Sequence, residues 1–169
     1  MSVSMYQLSI PVFTRVLNNL SAILAKGAAH AEAKKIDQSV FINARLAPDM
    51  FALARQVQIA SDTVKGAAAR LAGVEIPSFE DNETTFAELQ ARIAKTIDFI
   101  KSVSETEING SQDRTVTLKV RGNDIHFQGL QYLIGFVLPN LYFHATAAYA
   151  ILRHNGVEIG KMDYLGGIQ

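Results

Sequence analysis

Asn140 and His144 stand four residues apart in a stretch, 129–155, that holds no Asp, Glu, Lys or Arg before Arg153. On a helix that spacing puts both side chains on one face, beside Leu141 and Ala148. An imidazole in such a place could ligate a metal or move a proton. It could equally be a core histidine bonded to a polar neighbour, with Asn140 covering the backbone carbonyl that Pro139 leaves free. Gln56, near the apolar side of an earlier helix, could meet the pair across the interior or mark the border of that helix's buried face. Asp49 lies one heptad before Gln56 and would share its face.

The other candidates are weaker. His30 sits among small and charged residues and is expected at the surface. His126 alternates with Ile125 and Phe127, which puts it on the polar side of a strand. His154 falls at a helix C-terminus, where a partly protonated ring favours the helix dipole. Tyr142, Phe143 and Tyr149 read as packing or interface aromatics rather than a ligand cage. No Glu stands three residues before any histidine, so the Glu-x-x-His pairs of di-iron bundles are missing. His-Glu-x-x-His, Gly-x-x-x-x-Gly-Lys, Gly-x-Ser-x-Gly and Gly-x-Gly-x-x-Gly are also absent. With no cysteine, disulfides, thiolate catalysis and cysteine-held zinc or iron–sulfur sites are excluded.

The elements that must position these residues follow from apolar periodicity. Tyr6, Ile10, Phe13, Leu17, Leu20 and Leu24 predict an amphipathic helix of about six turns, with Pro11 in its first turn or at a kink. Gly27 allows a break, followed by a short polar helical extension over 28–36. Residues 41–46 read as a connector, and Pro48 suits the first turn of a second helix. That helix carries Met50, Leu53, Val57, Ala60, Val64, Ala68 and Leu71 and stops at Gly73. Pro77, Glu80 and Asp81 belong to a loop. Thr85 and Glu88 form a capping box for a third helix, through Phe86, Leu89, Ile93, Ile97 and Ile100. Asn109 and Gly110 mark a turn. Val116, Leu118 and Val120 alternate with polar residues and predict a β-hairpin turning at Arg121-Gly122-Asn123-Asp124 and returning through Ile125 and Phe127, its apolar face on the body. The last long helix bears Leu130, Ile134, Val137, Leu141, Ala145, Ala148 and Leu152, with Pro139 kinking it or removing a hydrogen bond. Being apolar over so much of its surface, it is expected at the centre, wrapped by the others. The tail is pinned by Ile159, Met162, Tyr164 and Leu165.

The chain has 169 residues, 49% hydrophobic and 19% charged, which suits one domain over 1–169. Sixteen basic residues balance sixteen acidic ones, so neither a nucleic acid nor an anionic membrane surface has a basic stripe to bind. Residues 129–152 are long enough to cross a bilayer, but Gln131, Pro139, Asn140 and His144 near their middle favour a buried helix. The first residues, MSVSMYQLSIPVF, lack a signal-peptide pattern, and with the absent cysteines this leads to an expected cytoplasmic location.

The run LPNLYFHATAAYAILRHNGV (138–157), with LAPDMFALARQVQIASD (46–62), resembles an uncharacterised bacterial family of domains of unknown function grouped with the DinB/YfiT-like metalloenzymes. Four amphipathic helices with a short β-hairpin between the third and the fourth predict an all-α, four-helix bundle, and a four-helix bundle is also what the resemblance implies. Many DinB-like proteins hold a divalent metal (Zn, Ni or Mn) with one histidine from the second helix and a His-x-x-x-His pair on the last. Some relatives are transferases or isomerases dependent on mycothiol, bacillithiol or glutathione. By position His144 matches the second histidine of the pair, Asn140 stands in place of the first, and Gln56 replaces the helix-two histidine. Amides are poor substitutes for imidazoles at such an ion. The resulting expectation is a small-molecule-binding or interaction module without catalysis, its pocket at Gln56, Asn140 and His144 and its metal site degenerate. The alternative is a metal- or thiol-dependent transferase or hydrolase using His144. A homodimer is the expected assembly.

Overall fold

The computed structural model describes residues 3–120 and 122–167. The chain is mostly helical, with one small two-stranded antiparallel sheet. Helix α1 (Ile10–Lys34) has Pro11 in its first turn and buries Ile10, Phe13, Leu17, Leu20, Ile23 and Leu24. Tyr6 lies in the turn before it. The expected break at Gly27 does not occur, and α1 runs on through the predicted extension. A Cβ at Gly27 would stand 3.0 Å from the ring of Phe86 and 3.2 Å from Leu152, so the glycine admits close neighbours instead of bending the helix. His30, expected at the surface, is half-buried with its ring edge-on to Phe41 at 5.8 Å.

The predicted connector contains a short helix, α2 (Gln38–Ile42), started by Asp37, whose carboxylate accepts from the Ser39 amide at 2.8 Å. Pro48 lies in a turn closed by Met50 N–H to Ala47 C=O, and the second long helix, α3 (Leu53–Ala72), begins only afterwards. Gly73 ends α3 at φ 76°, as its position predicts. Helix α4 (Phe86–Ser102) opens with both halves of the Thr85–Glu88 capping box. A second such box, Ser104 with Glu107, starts the short α5 (Glu105–Ile108), which apolar periodicity does not reveal.

Strands β1 (Thr115–Val120) and β2 (Asn123–Gln128) pair in the predicted phase, Val116 opposite Phe127 and Leu118 opposite Ile125. Pairing continues to Val120 and Asn123, so Asn123 and Asp124 are strand residues and not the turn. Gly122 takes φ 84°, and Arg121 lies outside the described residues. The apolar face covers the body only at its base: Val116 and Leu118 are buried, while Val120 and Ile125 near the tip are exposed.

The last long helical segment is built in three pieces: α6 (Gly129–Tyr132), a π turn over Leu133–Val137, and α7 (Leu138–His154). Pro139 cannot donate a hydrogen bond, and its ring would crowd the carbonyl four residues back. The wide turn removes the conflict: Leu138 N–H reaches Leu133 C=O, five residues back, and Pro139 falls in the first turn of α7. The extra residue shifts the phase of the buried face. Leu133 takes the core position, and Ile134, expected inside, is 45% exposed.

Each long helix touches two others closely: α3 lies between α4 and α7, and α1 also contacts α4 and α7. The expected central helix is not the most enclosed one. α3 buries 13 of its 20 residues, among them Gly66, Ala67, Ala68 and Ala69, whereas α7 buries seven of 17. Small side chains let α3 be approached from several sides, and they matter more for burial than mean apolarity. Residues 129–154 are long and apolar enough to cross a membrane, but Tyr132, Leu133, Val137, Leu141, Ala148 and Leu152 among them are packed inside the protein. The tail is held by Val157, Ile159 and the half-buried Tyr164, while Met162 and Leu165 of the short α8 (Lys161–Leu165) stay exposed.

Gly129 joins the hairpin to the last helix at a point without room for a side chain. A Cβ there would lie 2.0 Å from the backbone oxygen of Ser111. Gly129→Ala is expected to lower unfolding stability by about 1–3 kcal/mol, because backbone must move to admit the methyl group. Urea denaturation of the two proteins measures the difference.

Candidate functional site

Gln56 is one turn into α3, on the side that meets α7, and is 1% exposed. Its Nε2 donates to the carbonyl of Phe51 at 3.1 Å, and its Oε1 lies 2.7 Å from Nδ1 of His144. A carbonyl only accepts, so the Phe51 contact sets the orientation of the amide. The amide oxygen therefore faces the imidazole, and Nδ1 must carry the proton. Nε2 of His144 is left as a bare acceptor, which no protein group among the described residues engages. It is not among the buried side-chain atoms lacking a partner, which are Ser61 Oγ, Arg92 Nε and Ser111 Oγ, so it keeps contact with the surface.

Asn140 faces the same helix but joins a different pair. Its Nδ2 donates to Thr63 Oγ1 of α3 at 2.8 Å, so it neither covers the carbonyl freed by Pro139 nor bonds His144. Gln56, read from its spacing as a possible border residue, is a core one. Asp49 is exposed in the turn before α3 and shares no helix face with Gln56. His126 does lie on the hairpin's polar side, 2.9 Å from Thr117 Oγ1, and His154 is exposed in the last turn of α7.

The imidazole is held below its ordinary pKa, first by burial and then by the nearby Arg55 guanidinium, so it is uncharged at neutral pH. Arg55 itself is tied to Asp81 and to Gln58 Oε1, the latter at 3.2 Å, with its guanidinium 6.0 Å from the Phe51 ring centre. Among the described residues no cluster of three or more His, Cys, Asp or Glu side chains converges. Beside the pair, the exposed Phe143 meets His144 edge-on at 5.2 Å. Phe143 also lines an apolar groove of about 400 Å³ between α7 and residues 46–50, with Leu46, Met50, Pro139, Tyr142 and Ala147. Tyr149 instead packs edge-on against Tyr164 at 6.1 Å.

On its opposite side α3 carries an ion cluster that apolar periodicity did not reveal. The Arg92 side chain is only 2% exposed and bonds Glu83 at 2.9 Å, Asp81 at 2.9 Å and Asp62 at 3.0 Å, together with the Glu80 carbonyl. Burial opposes its charge, but the hydrogen bond to Glu83 and the fields of Asp62, Glu83 and Asp81 outweigh burial and raise its pKa. Lys65 pairs with Asp62 at 2.8 Å, and Lys65 and Lys95 sit over the Phe79 ring at 4.0 and 4.2 Å. The signal available in the sequence was the polar set Gln58, Asp62 and Lys65 at helical spacing, opposite an acidic loop.

A mostly helical chain with a hairpin before its last long helix, and a polar pair between its second and last long helices, has the architecture of a DinB-like protein. A crystal structure of a DinB family member protein from Shewanella denitrificans matches it with a TM-score of 0.86 and 45% sequence identity, over 96% of this chain and 92% of that one. The chain belongs to the family Domain of unknown function (DUF1993), whose pattern matches residues 5–165. No curated protein matches it.

Two outcomes follow from the geometry. Because the folded-state pKa of His144 lies below its unfolded value of about 6.5, its contribution to stability is complete above that pH. It is lost as the pH falls toward the folded pKa. Wild type should therefore lose more stability between pH 7.5 and 5.5 than His144→Gln, as read from urea midpoints at both values. Arg92→Leu should cost about 2–4 kcal/mol, since it leaves the largely buried Glu83 without its cation. The same denaturation measurement checks it.

Proposed function

We propose that the protein is a non-catalytic small-molecule-binding or interaction module, one DinB-like four-helix bundle over 1–169 formed by α1, α3, α4 and α7. In it Gln56, Asn140 and His144 stand where metal-binding relatives carry three histidines. The observation that carries this reading is the 2.7 Å bond between Gln56 Oε1 and His144 Nδ1. An amide in that place takes up one imidazole nitrogen. With Asn140 turned to Thr63, a divalent ion would find a single imidazole nitrogen where it needs three strong donors. These residues do not fit Zn, Ni or Mn as the family's histidines do.

The unengaged Nε2 favours a second reading, a transferase or hydrolase in which His144 acts as a base toward a substrate or thiol. Exposed Leu46, Phe51, Tyr142 and Phe143 support either a ligand or a second copy of the chain at this end. The balanced charge argues against nucleic acid and against an anionic membrane surface. Packing of the apolar 129–154 segment against α3 supports a buried helix rather than a membrane span, in keeping with the cytoplasmic location expected from the sequence.

Metal analysis of protein purified without an affinity tag tests the proposal. We expect no stoichiometric metal, and a melting temperature that is unchanged by added Zn²⁺, Ni²⁺ or Mn²⁺. Stoichiometric metal, or a rise of about 5 °C or more with one of these ions, would overturn it.

A further inference from the structure

We propose that the cleft along the polar side of α1, past Arg15, binds a small organic anion: a carboxylate or phosphate monoester with an apolar body. The cleft shares no residue with Gln56, Asn140 and His144, and it does not depend on the reading given above for them.

Two cavities adjoin here, because Arg15 and Asn19, one helical turn apart, line both. One, of about 410 Å³, lies between α1 and the end of α4 and is lined by both Arg15 and Lys101. The other, of about 520 Å³, lies between α1, α7 and α8 and is walled by Val16, Tyr142, Tyr164 and Leu165. Among the described residues no Asp or Glu lines either cavity, and neither Arg15 nor Lys101 pairs with a carboxylate. The cations beside α3 are matched by contrast: Arg55, Lys65 and Arg92 are held by Asp62, Asp81 and Glu83. Asp163, next to Tyr164, is taken by Lys26 at 2.6 Å. A cleft lined by one sign of charge focuses its field on a counter-ion. A guanidinium adds paired donors that match a carboxylate or phosphate.

The apolar end of the cleft is held by its own contacts. Asn19 Nδ2 donates to the Tyr164 carbonyl at 3.0 Å, Thr146 Oγ1 donates to the Tyr164 hydroxyl at 3.2 Å, and Tyr149 packs edge-on against the same ring. Tyr142 and Leu165, 38% and 39% exposed, leave apolar surface for the body of a ligand. Cavities of this size, with an apolar wall and a few placed polar groups, suit a small molecule. Its head group would lie at Arg15 and Lys101 and its body against the tyrosines.

Phenylacetate, phenyl phosphate and the neutral phenylacetamide, titrated into the intact protein while the ring resonances of Tyr142 and Tyr164 are followed by NMR, test the assignment. At low salt both anions should bind about five- to tenfold more tightly than the amide. Most of that advantage should vanish at about 0.3 M NaCl. The tighter anion identifies the preferred head group. In Arg15→Gln, at an exposed position, most of the preference for the anions should be lost while binding of the amide is unchanged. If the amide binds as tightly as the anions, if Arg15→Gln keeps the preference, or if no probe moves these resonances, the inference is overturned. Binding seen only after residues 168 and 169 are removed would assign the cleft to the chain's own end and overturn it too. None of these outcomes alters the metal analysis at His144, so failure here and failure of the reading above are separable.

Discussion

Enclosing α3 between α4 and α7 is the constraint from which the rest follows. Its run of Gly66, Ala67, Ala68 and Ala69 leaves no bulk to hold neighbours away, so neighbouring helices close on it and polar side chains on its flanks lose water. A buried polar group without a partner costs on the order of 1–3 kcal/mol. The partners are accordingly specific. Gln56 takes His144 and Thr63 takes Asn140 on the α7 side, while Gln58, Asp62 and Lys65 join the Glu83 and Arg92 cluster on the other.

The two polar seams are joined through Arg55. It binds Asp81 of the 74–85 connection, which Arg92 also grips, and it lies near enough to His144 to help keep that ring uncharged. The connection has little regular structure of its own. Its place comes from one guanidinium, on which the carboxylates of Asp81 and Glu83 and the backbone carbonyl of Glu80 converge, and whose planar fork can serve several acceptors at once. Loop, second helix and site are thus one electrostatic unit, even though the site is nearly neutral.

Proline shapes the opposite wall. By forcing a π turn at Leu133–Val137, Pro139 rotates the upstream part of the helix relative to α7. Tyr132, Phe136 and Phe127 then gather as an aromatic group at the hairpin base, with ring centres about 6 Å apart (5.9–6.0 Å), and the Tyr132 hydroxyl receives Arg70 at 3.2 Å. Downstream, α7 keeps the phase that puts Leu141, His144 and Ala148 inside.

Local chemistry determined much of this. Apolar spacing in α1, α3 and α4, the Thr85 capping box, Gly73 as a stop and the phase of the hairpin were legible because each depends on residues a few positions apart. The four-residue spacing of Asn140 and His144 was equally legible, whereas Gln56 read either as a border residue or as one able to meet them across the interior. Tertiary structure decided what spacing cannot contain. It joined Gln56 to His144 across 88 positions and sent Asn140 to Thr63. It exposed Ile134 by inserting a π turn, and it collected Arg92, Asp62, Asp81 and Glu83 into one buried cluster. It also made α3, rather than the more apolar last helix, the most enclosed element. The reason is geometric: periodicity reports which face of a helix avoids water, but pairing of buried polar groups depends on which helices adjoin and at what height. Neither is encoded within a single turn.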